Sequence, residues 1–276
     1  MELDKYRPGY IIYADRHVLM TSDGTTTHLI AENSAQGEYR EGVGAVARFN
    51  RMGGFTQISE KLVVLADSGN HCMILIDRTS HTTSAFSGKC HARGYQDGRP
   101  GQFNLPESVV IDKRDKNQLL IVDRGNAAVR TVNVVSLAAG TFVKSDSLDT
   151  MRGITQDEKS GDFYITALDS VYRITYTQKT VSLISGSPGE NSHGYRDSTL
   201  LDSQFRYPAG LIFITPRTLL VADFWNYKLR LVDMKSDKVT TLNVTNSLSG
   251  PFSLLLTNNS LYVGHIDSIV QYKCEK

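Results

Sequence analysis

No apolar run in the 276-residue chain approaches the roughly 20 residues of a helical membrane span, so no direct membrane insertion is expected of this segment. Charge of either sign is nearly absent in the net: 30 Lys and Arg stand against 29 Asp and Glu, for a formal charge of +1. That balance is a poor footprint for a polyanion, and no nucleic-acid partner is expected. Cysteine is scarce, with only Cys72, Cys90 and Cys274. No Cys-x-x-Cys spacing occurs, and an odd count permits at most one internal bridge, for which Cys72 and Cys90 are the candidates within one repeat unit. A nucleophile elbow, a phosphate loop and a dinucleotide fingerprint are all missing. The nearest mimic, Leu183-Ile184-Ser185-Gly186-Ser187-Pro188-Gly189, is followed by no helical pattern and reads as a link. No 3.6-period apolar pattern runs long enough for a helix.

What is present is a repeated phrase. It runs Gly37-Glu38-Tyr39, Gly42 and Ala47-Arg48-Phe49; then Gly94-Tyr95-Gln96-Asp97-Gly98 and Gln102-Phe103-Asn104-Leu105-Pro106; then Gly194-Tyr195-Arg196-Asp197 and Gln204-Phe205-Arg206-Tyr207-Pro208. Each copy precedes an apolar run closing on Asp: Leu62 to Asp67, Leu119 to Asp123 and Leu219 to Asp223. A further copy of the closing Asp stands at Asp15, and Ile165-Thr166-Ala167 and Tyr262-Val263-Gly264 mark two degenerate units. Six units over 276 residues give about 46 each. That period, with short strands and turn residues between them, is the pattern of a four-stranded propeller blade.

The fifth unit illustrates the strand reading. Its expected strands are 209–213, 218–223, 227–232 and 238–242, most of them rich in Val, Leu, Thr or aromatics. After the second strand comes a patterned turn: Asp67-Ser68-Gly69-Asn70, Asp123-Arg124-Gly125-Asn126 and Asp223-Phe224-Trp225-Asn226. Asp and Asn suit tight turns because their side chains bond nearby backbone. Arg130 follows Asn126 by four positions and Arg230 follows Asn226 likewise, and these polar residues are expected to tie each blade together.

Those residues together resemble the NHL repeat, in which a Pro-x-Gly-Ile strand leads to Val-Ala-Asp and then to Asn and Arg. The Gly-Tyr-x-Asp lead-in is similar to that of NHL units in many extracellular and multidomain proteins. The resemblance implies an all-β, six-bladed propeller with four antiparallel strands per blade, closed by sharing of the termini. It covers a single domain over residues 1–276, with blades at about 5–31, 37–88, 94–145, 148–186, 194–242 and 248–274. Unit four departs from it at Leu168-Asp169-Ser170 and unit six at Ile266-Asp267-Ser268. The sixth unit also has no clear fourth strand.

On such a scaffold, function sits in loops. The turns after the second strands and the links between blades share one face, and the candidates there are Trp225, Phe224, Arg124, Asp169 and His265. Trp225 is the only tryptophan and occupies a turn position that holds glycine in two sister units, Gly69 and Gly125. Exposed aromatics favour binding hot spots. The histidines, His17, His28, His71, His81, His91, His193 and His265, are scattered with no short ligand pair. Asp97, Asp197 and Asp202 are acidic loop residues whose expected work is turn capping. No cofactor is expected.

The function expected is non-enzymatic: a recognition module that binds a protein or glycan partner through its loop face. Two alternatives stand beside it, a lyase- or hydrolase-type enzyme with a metal site in the central channel and an RNA-binding NHL domain. The sequons Asn243-Val244-Thr245 and Asn258-Asn259-Ser260 mark Asn243 and Asn258 as glycosylation candidates. With a start, Met1 to Lys5, that has no signal core, they suggest a segment of a larger extracellular or receptor chain, the alternative being cytoplasmic.

Overall fold

The computed structural model describes residues 1–15, 18–32, 39–188, 192–245, 247–265 and 268–273, and only the backbone of Asp15, Glu32 and Ala45. His17, Gly37, Glu38, Ile266, Asp267 and Cys274 therefore lie outside the described residues, as does the side chain of Asp15. The chain forms two compact units, Met1–Asp146 and Ser147–Lys276. Each unit carries three antiparallel sheets, every one an up-and-down meander, and the six sheets are the blades of a β-propeller.

In the first unit, blade 1 spans residues 2–32, blade 2 residues 42–87 and blade 3 residues 106–144. In the second, blade 4 spans residues 154–186, blade 5 residues 208–242 and blade 6 residues 253–273. Four blades have four strands, blade 2 has five, and blade 6 has three among the described residues. Among the described residues, strands Glu2–Leu3 and Ile269–Lys273 each pair within their own blade.

Packing explains why the second strands read as continuous apolar runs and not as alternation. In blades 2 and 5 that strand is covered on both faces. In blade 2, Val63 and Leu65 pack with Ile12 and Leu19 of blade 1, while Val64 and Ala66 pack with Val109, Leu119 and Ile121 of blade 3. Blade 5 repeats this in the second unit. Leu219 and Val221 meet Tyr164 and Val171 of blade 4, and Leu220 and Ala222 meet Leu254, Leu261 and Val263 of blade 6.

First strands of neighbouring blades run so close that glycine is required. A Cβ on Gly53 would lie 2.5 Å from the carbonyl oxygen of Glu107, and one on Gly210 would lie 2.7 Å from that of Phe252. The lead-in loops cover the outer edges. Gly98 exchanges backbone hydrogen bonds with Ala139, and Ser198 bridges to Val239, so the fourth strands of blades 3 and 5 are not left open. In blade 2 the same job falls to strand Gly42–Val43, paired with Thr82 and Thr83.

Cys72, at the start of the third strand of blade 2, is disulfide-bonded to Cys90 in the link toward blade 3. The bond closes a loop of sequence separation 18. By loop-closure entropy, changing both cysteines to Ala is expected to cost about 3 kcal/mol, read as the shift in urea unfolding free energy. A cost below about 1 kcal/mol would show that the surrounding core already fixes this link.

Candidate functional site

The repeated phrase builds one buried polar lock, twice over. In blade 3 the Asp123 carboxylate accepts the backbone N–H of Asn104 (2.7 Å), the Asn126 amide (2.7 Å) and Arg130 Nη1 (3.0 Å). Arg130 also donates to the carbonyls of Gln102 (2.9 Å) and Gln96 (2.8 Å) and to Asp97 (2.8 Å). Its guanidinium lies between the rings of Tyr95, 4.7 Å away, and Phe103, 5.2 Å away.

Blade 5 reproduces these contacts, although Arg130 Nε also donates to the Gly140 carbonyl (3.2 Å) and Arg230 Nε has no such partner among the described residues. Asp223 accepts the Arg206 N–H, the Asn226 amide and Arg230 Nη1, each at 2.8 Å. Arg230 reaches the carbonyls of Gln204 and Arg196 and the carboxylate of Asp197, between the rings of Tyr195 and Phe205. Both arginines are fully buried. Burial pushes Asp123 and Asp223 above the usual carboxylate range, against the pull of these donors. Asp97 and Asp197 thus close the lock from the lead-in loop, and Asp202 accepts the Thr199 hydroxyl.

Blade 2 has the lock without its cation. Asp67 accepts the Asn50 N–H (2.8 Å) and the Asn70 amide (2.7 Å), but Ile74 stands where blades 3 and 5 carry Arg130 and Arg230. Burial raises the Asp67 carboxyl to about 6. A carboxyl raised on folding stays protonated in the native state after the unfolded chain has ionised. Stability should therefore fall as pH climbs from about 4 to about 6, by on the order of 2–3 kcal/mol. Urea unfolding of the parent and Asp67→Asn at pH 4.5 and pH 7 isolates this effect, and the variant is expected to show the smaller loss. Equal losses would place the Asp67 carboxyl in the ordinary range.

The turns that follow these locks carry the surface candidates. All three are short 3-10 turns, Ser68–Asn70, Arg124–Asn126 and Phe224–Asn226, each ended by a left-handed residue: His71, Ala127 and Tyr227. In blades 2 and 3 the turn glycine faces an asparagine. A Cβ on Gly69 would meet Asn50 Cγ at 2.4 Å, and one on Gly125 would meet Asn104 Cγ at 2.5 Å. Blade 5 replaces both members of the pair, Asn by Arg206 and Gly by Trp225, while Trp225 N–H still bonds the Arg206 carbonyl at 3.1 Å. The backbone is the same; the side chains now project outward.

Trp225 is 45% exposed and stands edge to face with Phe224 (5.4 Å) and Tyr207 (6.3 Å). Tyr207 and Tyr227 are 44% and 49% exposed, both with positive φ. Asp169, from the turn of blade 4, accepts the Tyr207 N–H at 2.9 Å and so positions the tyrosine. Trp225, Phe224 and Asp169 are therefore brought together around Tyr207.

Arg124 lies in the first unit, where its guanidinium is 3.8 Å from Glu107, which also pairs with Arg51 at 3.1 Å. His265 is a correction: it is buried at 4% exposure and its Nδ1 accepts the Ser249 N–H, so it does not reach the surface. Burial lowers its pKa. His71 similarly accepts the Leu105 N–H, and His91 packs against Tyr39. Among the described residues no group of three or more His, Cys, Asp or Glu side chains could hold a metal ion. Arg206 and Tyr207 are the residues that the candidate set omitted. The signal for them was the aligned phrase, where Asn104-Leu105 becomes Arg206-Tyr207.

Beside the same turn, a shallow groove of about 210 Å³ is lined by Tyr227, Lys228, Thr241, Asn243, Thr245 and Ser247 among others.

No protein-family model matches the chain, and no curated protein matches it. Solved structures do. An auxiliary nutrient binding protein from Bacteroides ovatus superposes with a TM-score of 0.72 at 11% identity, covering 99% of this chain and 68% of the other. A chain of the nidogen/laminin complex gives 0.68 at 11% identity, covering 96% and 89%. Streptogramin B lyase gives 0.54 at 11% identity, covering 82% and 69%. Likeness at such identities is a likeness of fold, and the fold shared is the six-bladed β-propeller.

Proposed function

We propose that this propeller is a non-enzymatic recognition module of NHL type that binds a protein or glycan partner through the turn face of its second unit. The observation that carries the reading is the Tyr207–Phe224–Trp225 group. Three aromatic rings, two of them nearly half exposed, stand on backbone pinned by the Arg206 carbonyl and the Asp169 carboxylate. Exposed apolar rings held rigid lose little entropy on binding and make strong anchors. The similar propellers of an auxiliary nutrient binding protein and of the nidogen/laminin complex support a binding role.

An extracellular setting suits the disulfide, since such bonds persist in oxidising compartments. Of the two sequons, Asn243 is exposed at the groove, whereas Ser260 of the other is buried in a strand with its hydroxyl accepting the Gln271 amide. Asn258 itself is exposed as well, so glycosylation on secretion is expected at both acceptors.

The test is a screen of displayed ectodomains and a glycan array with the parent and Trp225→Ala. The Trp225 ring is 45% exposed and stands against Phe224 and Tyr207, so the variant is expected to fold, and a true partner should lose at least about tenfold in affinity. A partner bound equally by both proteins would remove this face from the reading.

A further inference from the structure

We propose that the blade 5 turn recognises an acidic peptide segment of a protein partner, with Arg206 taking a carboxylate beside the Trp225–Tyr207 aromatic wall. The inference rests on the recognition reading and gives its partner a chemistry. It starts from the paired replacement in the turn. In blades 2 and 3 the Asn–Gly pair is sterically closed, and Asn104 Nδ2 also donates to the Gly125 carbonyl at 2.9 Å. The turn needs nothing more, since blade 5 keeps its backbone with Arg206 and Trp225 instead. Both new side chains are thus surplus to the fold, and they arise at adjoining positions.

Charge selects the partner's chemistry. Arg206 is exposed, and its backbone makes hydrogen bonds to Asp223 and Trp225 while no acid among the described residues pairs with its guanidinium. Lys228, exposed in the same hairpin, also lacks an acidic partner among them. In the first unit, by contrast, Arg51 and Arg124 share Glu107. The nearby acid Asp169 already accepts the Tyr207 N–H. What remains is two unpaired cations flanking Tyr207, Trp225 and Tyr227, which are 44%, 45% and 49% exposed. A guanidinium forms paired, planar hydrogen bonds with a carboxylate, and an aromatic wall takes the apolar side chains between successive acids. A peptide that alternates the two satisfies both, whereas a uniformly charged polymer leaves the rings unused.

Trp225 is the only tryptophan, so its emission reports the site directly. The probe is a random copolymer of glutamate and tyrosine, with poly-glutamate, heparin and a uridine oligonucleotide as comparisons and excitation at the red edge of indole absorption. The copolymer should change the emission saturably, more strongly than poly-glutamate, and the response should weaken as salt is added. Arg206→Gln, which keeps the methylenes already accommodated beside Trp225 and removes the charge, should fold as the parent does and weaken the response about tenfold. Silence of both peptide polymers, or an unaltered response in Arg206→Gln, overturns the proposal. A response to heparin or the oligonucleotide alone overturns it in favour of a non-protein polyanion. A partner from the screen that is lost in Trp225→Ala but kept in Arg206→Gln would leave the recognition reading standing and refute the acidic segment.

Discussion

Arg230→Met is expected to destabilise the protein by about 3–5 kcal/mol, a large part of the 5–15 kcal/mol that holds a typical domain folded. Methionine fills much of the space but cannot answer the charges left behind. Asp223 would remain fully buried with its carboxylate facing only the Arg206 N–H and the Asn226 amide, the Gln204 carbonyl would lose its Arg230 donor, and the Arg196 carbonyl would keep only the Gln204 N–H. Most of the cost is the stranded carboxylate and not the net value of the pair, which desolvation largely offsets. A double variant makes that distinction. Asp223→Asn added to Arg230→Met removes the buried charge and should recover part of the loss, giving a clear coupling between the two sites. Urea unfolding followed through Trp225, in the same blade, reads both. A loss below about 1 kcal/mol for the single variant would mean that water reaches Asp223 readily, and the lock would then be a surface pair.

The lock was legible in the sequence as a phrase but not as a structure. The fixed spacing from Asp123 to Asn126 to Arg130, repeated at Asp223, Asn226 and Arg230, announced residues that meet, and they do. What the spacing did not carry is the sandwich around each arginine. Phe103 and Phe205 come from the lead-in, 27 and 25 positions before Arg130 and Arg230, and their depth follows from how the loop packs on the blade. Blade 2 shows the same limit. Ile74 in place of an arginine is plain in the alignment, yet the consequence, a carboxyl raised to about 6, depends on the complete burial of Asp67.

The surface candidates divide for a similar reason. A turn tryptophan at a sister-glycine position was a sound signal, because a large ring has no room inside so tight a turn. His265 follows its second strand as Phe224 does, but a contact from residue 249, sixteen positions earlier, holds it and it is buried. Local pattern locates a turn; long-range packing decides which of its side chains reach solvent. Arg206 was readable by the same logic as Trp225, since each departs from two sister units, but the departure gains meaning only when the two are seen to adjoin.

Phe103→Ala should cost about 3–5 kcal/mol, the range for emptying a buried aromatic site. The ring is fully buried in the core of blades 2 and 3, with Val109, Leu119 and Ile121 around it. It also lies against Gly88, whose φ of +93° and missing Cβ admit it; a Cβ there would come within 2.8 Å of the ring. Removal therefore leaves a cavity whose walls are strands and cannot easily collapse. It also takes away one of the two faces that enclose the Arg130 guanidinium. Tyr95 covers the other face but is 42% exposed, so Tyr95→Ala opens no cavity and should cost about 0.5–1 kcal/mol through the lost cation–ring contact. The comparison tests where the lock draws its strength. If both substitutions cost the same small amount, the guanidinium is held by its hydrogen bonds alone and the lead-in aromatics are a covering. If Phe103→Ala alone is severe, the repeated Phe is a core residue first, and the arginine is buried because that ring carries the lead-in loop down over it.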